Sequence, residues 1–190
     1  MVASDSRCQA KQSAVEMKSF LTSFAGQCGV HDAARQAALV RTAKLIEASG
    51  VELVRFAWCD LHGMLRGKTL VASAAIQAMM NGVSMVSTLL LKDSGDRTAY
   101  KVFDAEGALE LPGQGIGFGF AGNVMLLANP ASYQQLPWAS KTGWVQCQAW
   151  KSDGTAIEFD TRCVLQKALT RLADAGYGMS CGLEIEFHIY

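Results

Sequence analysis

Two β-rich segments joined by a short polar turn constrain the fold of this chain most strongly. Residues 51–58 are almost wholly apolar, and residues 64–71 alternate Arg66 and Lys68 with apolar neighbours. Between them, the sequence Asp-Leu-His-Gly at 60–63 is typical of a turn. Because β-branched and aromatic residues favour strands, this pattern predicts a β-hairpin.

Three other segments have the composition and spacing of helices. Residues 31–49 are rich in good helix formers, with Asp32 suited to the first turn and Gly50 to the C-cap. Residues 72–80 form a short second helix, and residues 161–175 form a third with a clear apolar face. That apolar face consists of Val164, Leu165, Ala168, Leu169 and Leu172.

Two further strands complete the predicted fold. Residues 123–128 and 143–151 have the pattern of strands, and Asp160 is a good N-cap for the helix that follows them. Together with the hairpin, they predict an α+β fold in which a small mixed sheet packs on the helix at 72–80.

Glycines are frequent just before the strand at 123–128. They occupy positions 113, 115, 117, 119 and 122. Alternating glycines can cradle a phosphate, but the dinucleotide-binding fingerprint needs a strand before it and a helix after it. Here a strand follows instead, so the pattern favours a glycine-rich loop or a bulged strand.

Charge and hydropathy exclude several classes of partner. Lys plus Arg and Asp plus Glu number 17 each, and no long run of basic residues occurs. We therefore expect no nucleic acid and no membrane as a partner, because these need clustered positive charge or a long apolar segment. The N-terminus lacks the pattern of a signal peptide, and the six cysteines contain no C-x-x-C pair. Both features favour a cytoplasmic protein with reduced thiols.

The most informative chemistry lies in a strand predicted at residues 179–190. Residues two apart in a strand point to the same face, so Glu184 and Glu186 lie together with His188 in line. The opposite face is apolar and consists of Leu183, Ile185, Phe187 and Ile189. Adjacent carboxylates repel unless a cation lies between them, and Mg²⁺ or Mn²⁺ prefers oxygen ligands. An ordinary amphipathic strand with a solvated acidic face has the same pattern, so both interpretations stay open at this point.

Three sequence blocks resemble the glutamine synthetase family. Residues 51–70 resemble the opening of its β-grasp domain, where a strand leads into Asp-Leu-x-Gly and then Arg-Gly-Lys. Leu-Pro-Trp-Ala at 136–139, followed by a strand and Asp-Gly at 153–154, resembles the segment that closes that domain. Gly-Leu-Glu-Ile-Glu-Phe at 182–187 resembles the strand that starts the catalytic domain. The blocks occur in the family's order within residues 50–190.

The resemblance implies a division of the chain into three parts. Residues 1–50 are expected to form an N-terminal helical segment, and residues 51–155 a β-grasp-like domain. Residues 156–190 are expected to be the first helix and strand of an incomplete catalytic domain. The family's remaining metal ligands, ATP contacts and substrate-binding arginines lie downstream of the last block, so we expect this chain to be inactive alone.

The resemblance also implies a reaction and its cofactors. Members of the family join glutamate and ammonia with ATP through a γ-glutamyl phosphate. Two glutamates of the last block hold two divalent metals, which assigns Glu184 and Glu186 one Mg²⁺ or Mn²⁺ ion each. The role does not extend to His188.

The resemblance to the family also implies how the subunits assemble. Family members form homo-oligomeric rings with active sites between subunits, and the β-grasp domain lends a loop carrying Asp and Ser to the neighbouring site. By position, Asp93 and Ser94 are the candidates in this sequence, although a solvated polar loop fits the same residues.

Several departures from the family pattern point to a divergent branch. Ala-Asn stands at 128–129 where many relatives have Pro-Asp, and Phe-Asp-Thr-Arg stands at 159–162 where many have Asp-Pro-Arg. Branches of this kind include ligases for organic amines such as polyamines. The alternatives to an ammonia ligase are therefore an organic-amine ligase of the same family, a non-catalytic relative used for assembly or binding, and an unrelated β-grasp interaction module.

Overall fold

The computed structural model describes residues 22–99, 109–110, 117–118 and 122–190. Most of the glycine-rich stretch and the first 21 residues of the predicted helical segment lie outside the described residues. The helices are α1 (Phe24–Gln27), α2 (Ala33–Ser49), α3 (Ala72–Asn81) and α4 (Thr161–Asp174). The strands are β1 (Leu53–Cys59), β2 (Leu65–Val71), β3 (Val83–Val86), β4 (Leu109–Glu110), β5 (Gly117–Phe118), β6 (Asn123–Ala128), β7 (Gln134–Gln135) and β8 (Thr142–Lys151). Short 3₁₀ segments span Ser87–Leu91 and Pro130–Ser132.

One mixed sheet organises the described residues. Its strand order is β2-β1-β8-β6-β3, with β7 added alongside β8, while β4 and β5 pair separately. β1 and β2 form the antiparallel hairpin that the sequence predicts, and β8 lies parallel to β1 on its other side. The remaining pairs, β3 with β6, β6 with β8 and β7 with β8, are antiparallel. The predicted α+β class and mixed sheet are therefore confirmed.

The hydrophobic core lies between one face of this sheet and the helices α2 and α3. Alternate residues of each strand point into it, because side chains in a strand alternate between the two faces. Fully buried members from the strands are Val54, Phe56, Trp58, Val124, Leu126 and Val145. From α3, Ala75 and Met79 are completely buried against them, as the predicted packing of this helix on the sheet requires.

Helix α2 has the C-cap that its sequence predicts, and Asp32, which the sequence placed in the first turn, is its N-cap. Asp32 accepts a hydrogen bond from the backbone N–H of Arg35 at 2.7 Å, which satisfies one of the free donors of the first turn. Gly50 ends the helix in the left-handed conformation at φ 64°, where a side chain is disfavoured. Arg35 then ties α2 to the rest of the fold, since its Nη2 donates to the carbonyl oxygens of Met79 and Ala128.

Helix α4 forms where predicted, but its apolar face is uncovered in this chain. Asp160 caps its first turn, and Cys163 is buried. Val164 and Leu165, by contrast, are 51% and 52% exposed. The helix therefore forms from its local sequence signals and its cap rather than from burial of that face.

The predicted strand at 179–190 is wrong in this structure. Residues 177–190 form neither helix nor strand, and their side chains are exposed. A strand gains its stability from backbone hydrogen bonds to a neighbour, and no described strand pairs with this segment. Alternation in the sequence is therefore not sufficient here. His188 and Tyr190, two residues apart, still lie on the same side, with ring centroids 6.3 Å apart.

No helix among the described residues is both long enough and apolar enough to cross a lipid bilayer.

Candidate functional site

The sequence-predicted site residues lie in two places. Glu184 and Glu186 are exposed in the segment after α4, and neither forms a hydrogen bond or an ion pair with another described residue. Asp93 and Ser94 lie in the polar loop that follows the 3₁₀ segment Ser87–Leu91. No hydrogen bond or ion pair within the described residues joins the two places.

The loop at 92–98 is held in shape by the carboxylate of Asp93. Its Oδ1 accepts hydrogen bonds from the backbone N–H groups of Gly95 at 2.8 Å and Arg97 at 2.9 Å. The backbone N–H of Asp93 also donates to the carbonyl oxygen of Arg97 at 2.8 Å. Asp93 therefore organises the loop, whereas Ser94 lies exposed at its tip.

A network that the sequence did not reveal joins this loop to the turn of the β1–β2 hairpin. Arg66, at the start of β2, donates from Nε to Asp60 Oδ2 at 2.6 Å and from Nη2 to Asp96 Oδ1 at 2.5 Å. A second link connects the same elements, because His62 Nε2 lies 2.7 Å from the carbonyl oxygen of Lys92. The hairpin turn and the loop thus form one polar unit.

Asp60 is the buried centre of this network. It is 1% exposed, and its second oxygen accepts from the backbone N–H groups of His62 and Met64 at 2.9 Å each. Burial alone raises the pKa of Asp60, but the hydrogen bonds from Arg66 and from the two backbone groups outweigh burial and hold the pKa below its ordinary value. Asp60 is therefore a fixed negative charge beside the loop.

Sequence reasoning had part of the signal for this network. Asp60 and Arg66 both lie in the first family-like block, at residues 51–70, so the segment that contains them could already be singled out from the sequence. Their partner Asp96 lies 30 residues beyond Arg66 and carries no motif. Its backbone adopts a positive φ of 62°, a conformation that asparagine and aspartate tolerate better than most residues.

The hairpin also forms one wall of a cleft of about 460 Å³. Arg55, Lys68 and Trp144 line it, and Trp138, 76% exposed, forms part of its edge. Arg66 lines the same cleft, so the cleft adjoins the polar network.

The two glutamates have the right chemistry for a divalent metal but not a complete site. Carboxylate oxygens suit Mg²⁺ and Mn²⁺, which need about six oxygen ligands. Among the described residues, no three His, Cys, Asp or Glu side chains come together in a way that could hold an ion. Within the part of the chain that the structure describes, Glu184 and Glu186 therefore supply only part of a metal centre.

Replacing Arg66 with methionine should lower the free energy of unfolding by about 2 kcal/mol, because the carboxylate of Asp60 is left buried without its cation. The midpoint of urea unfolding at pH 7 measures this loss. Lys141→Met is the matched control. Its ion pair with Glu52 is exposed on both sides, so we expect no measurable change. Equal losses of unfolding free energy in Arg66→Met and Lys141→Met would contradict the conclusion that Arg66 compensates a buried charge on Asp60.

The difference in unfolding free energy between the original chain and Arg66→Met should also change with pH in a known direction. The folded-state pKa of Asp60 is lowered, so its stabilisation is complete above the unfolded-state pKa, about 4, and disappears as pH falls through the folded-state value. The difference in unfolding free energy between the original chain and Arg66→Met should therefore narrow as pH falls below about 4. A difference that does not narrow at any acid pH where both chains remain folded would rule out Asp60 as its source.

No protein-family model matches the chain. Among curated proteins, it is 32% identical over 145 residues to a γ-glutamylanilide synthase of Acinetobacter sp., a match covering 76% of this chain and 29% of that protein. It is 25% identical over 154 residues to a glutamine synthetase of Clostridium saccharobutylicum, covering 77% and 28% of the two chains.

A solved structure described as apo GmaS without ligand shares the fold. The TM-score is 0.51 at 21% identity, and the match covers 70% of this chain and 26% of that one. This chain thus spans less than a third of the length of the proteins it matches. Similarity to named members over about three quarters of its residues shows that the chain belongs to the glutamine synthetase family.

Proposed function

We propose that the protein carrying this chain is an ATP-dependent ligase that joins the γ-carboxyl group of glutamate to the nitrogen of an amine. The similarity over 145 residues to a γ-glutamylanilide synthase is the observation that carries this proposal. In the proposed reaction, ATP phosphorylates the γ-carboxylate and leaves ADP. The amine nitrogen then attacks the acyl carbon, phosphate departs, and the nitrogen loses a proton to give the amide.

The chain contributes a β-grasp domain at residues 51–155 in this proposal. Its support is the topology: a hairpin, a helix packed across the sheet, and a last long strand, β8, inserted parallel to β1. The proposal keeps residues 1–50, of which the structure describes 22–50, as the N-terminal helical segment, and residues 156–190 as the start of the catalytic domain.

The loop that carries Asp93 and Ser94 is proposed to complete the active site of a neighbouring subunit in a homo-oligomeric ring. Ser94 is exposed and available for this role, while Asp93 gives the loop its shape. The Asp60–Arg66–Asp96 network would position the loop, because it anchors the loop to the rigid hairpin.

Glu184 and Glu186 are proposed to bind the divalent metals, Mg²⁺ or Mn²⁺, that accompany ATP. Their support is chemical: both are carboxylates, and neither is paired with another described residue. A bound divalent ion supplies positive charge that neutralises the phosphates during transfer. The other ligands would come from beyond the described residues.

The full-length protein tests the two glutamates directly. Glu184→Ala and Glu186→Ala should each lower the rate of ATP-dependent amide formation by roughly a hundredfold or more, because a missing metal ligand removes stabilisation from the transferring phosphoryl group. Glu158→Ala is the matched control. Glu158 is also exposed, and among the described residues its side chain forms a surface ion pair with Lys167 alone, so its loss should leave the rate unchanged. Undiminished turnover in the two variants would remove both residues from the site.

The choice of amine has two candidates. Ammonia follows from the family reaction, whereas an organic amine is favoured by the name of the relative at 32% identity. Rates with ammonia, aniline and ethanolamine, each at saturating glutamate and ATP, separate the two. Higher kcat/KM for an organic amine supports the second candidate. No turnover with any amine by a folded, assembled protein would instead support a role in assembly or binding.

A further inference from the structure

A second cavity lies where the start of α2, the ends of β6 and β8, and the start of α4 meet. Its volume is about 200 Å³, and no Asp or Glu is among the residues that line it. Its polar lining consists of Arg35, Arg162, Asn129, Gln146, Gln148 and Gln166. It shares no lining residue with the cleft beside the β1–β2 hairpin.

Arg35 is held rigidly at this cavity. Its Nη2 donates to the carbonyl oxygens of Met79 at 2.9 Å and Ala128 at 2.7 Å. A guanidinium group has five N–H donors, so the remaining three are without a partner among the described residues. Asp32 acts on Arg35 electrostatically, but it is exposed and accepts the backbone N–H of Arg35 rather than its side chain.

The other side-chain N–H donors that line the cavity also have no hydrogen-bond acceptor among the described residues. Arg162 is half-buried, and its guanidinium group forms no ion pair or hydrogen bond with the described residues. The side-chain amides of Gln146, Gln148 and Gln166 also have no partner in that part of the chain. These side-chain donors reach solvent rather than being buried without acceptors, and an anion with several acceptor oxygens can accept hydrogen bonds from several of them at once.

The remaining walls are apolar. Leu127 and Trp150 line the cavity and are 4% and 9% exposed, and both belong to a small core cluster with Ala25 on α1. Walls of this kind contact carbon rather than solvated phosphate oxygens. The volume is below the range that accommodates drug-sized ligands, which limits the occupant to a few carbon atoms.

We propose that this cavity binds a small dicarboxylate, whose carboxylate groups pair with the guanidinium groups of Arg35 and Arg162 while its carbon chain contacts Leu127 and Trp150. Guanidinium and carboxylate groups match in geometry and form two parallel hydrogen bonds. The glutamine amides supply further N–H donors. The site is a binding site beyond the proposed ligase reaction and does not depend on it.

Calorimetric titration of this chain with succinate, butyrate and inorganic phosphate tests the proposal. Succinate should bind saturably and more tightly than the other two. Arg162→Gln should weaken its binding about tenfold, because one charged pair is lost. Arg171→Gln is the matched control: Arg171 lies on the same helix, is exposed and does not line the cavity, so succinate affinity should be unchanged. Equal melting temperatures of the variants establish that both remain folded.

The indole N–H resonance of Trp150 locates the bound molecule. Succinate should shift this resonance and leave that of Trp138, in the other cleft, in place. Absence of saturable succinate binding would overturn the proposal, as would full affinity in Arg162→Gln or an equal loss in Arg171→Gln. Tighter binding of phosphate than succinate would overturn the assignment to a dicarboxylate.

Discussion

Replacing Gly67 with alanine should lower the free energy of unfolding by about 3 kcal/mol or more, the largest loss we expect from adding one methyl group to this chain. Gly67 pairs with Ala57 across the hairpin. A Cβ at this position would overlap the carbonyl oxygen of Phe56 and lie 2.9 Å from its carbonyl carbon. These are backbone atoms of a central strand, so β1 and β2 must separate to make room. Loss of their ladder would also expose the core side of the sheet.

Gly178→Ala is the matched control for this substitution. Gly178 lies outside the helices and strands, and an added Cβ meets no atom within 4 Å. Its replacement should leave stability unchanged or raise it slightly, because alanine restricts the unfolded chain. Chemical denaturation of both variants, with the m-value as a check on two-state unfolding, measures the difference. Equal stability of Gly67→Ala and the original chain would mean that β2 does not approach β1 as closely as described.

Replacing Asp160 with alanine should cost about 3 kcal/mol, because two separate contributions disappear together. Asp160 is completely buried, and its Oδ1 accepts the indole N–H of Trp58 at 2.6 Å. Its Oδ2 caps α4 by accepting from the backbone N–H groups of Arg162 at 3.2 Å and Cys163 at 3.3 Å. The variant therefore loses a helix cap and leaves a buried tryptophan donor without an acceptor.

Asp32→Ala separates the two contributions. Asp32 caps α2 from an exposed position and has no buried partner, so its loss should cost only about 1 kcal/mol. The unfolding free energies of the two variants, measured side by side, give the share due to Trp58. If both substitutions cost the same, the buried hydrogen bond to Trp58 contributes nothing measurable.

The charge of Asp160 adds a pH dependence opposite to that of Asp60. Burial raises its pKa in the folded state, and the hydrogen bonds from Trp58 and the backbone offset this only in part. The folded chain therefore binds the proton more tightly than the unfolded chain, whose carboxyl pKa is about 4. Relative to Asp160→Asn, the original chain should gain stability as pH falls from its raised folded-state value toward pH 4. A difference that is constant with pH would contradict the raised pKa.

Much of the fold could be predicted from local sequence signals. Residue type and periodicity correctly place the hairpin, α2 with its C-cap at Gly50, α3, and the strands β6 and β8. These elements can be predicted because each depends on a few neighbouring residues. The local features are alternating β-branched residues, a helix-forming composition, or a capping residue. The family-like blocks are of the same local kind, and similarity to named relatives confirmed the family that they indicate.

The sequence alone thus determined the helices, the long strands of the sheet, and the family, because these depend on neighbours along the chain. Only the tertiary structure decided which polar residues meet. Asp96 reaches Arg66 across 30 residues, and Asp160 reaches Trp58 across 102, with no motif linking either pair. Tertiary context also explains why residues 179–190 do not form the predicted strand. Alternating apolar and polar residues favour a strand, but a strand forms only where a neighbouring backbone accepts its hydrogen bonds, and no described strand lies beside this segment.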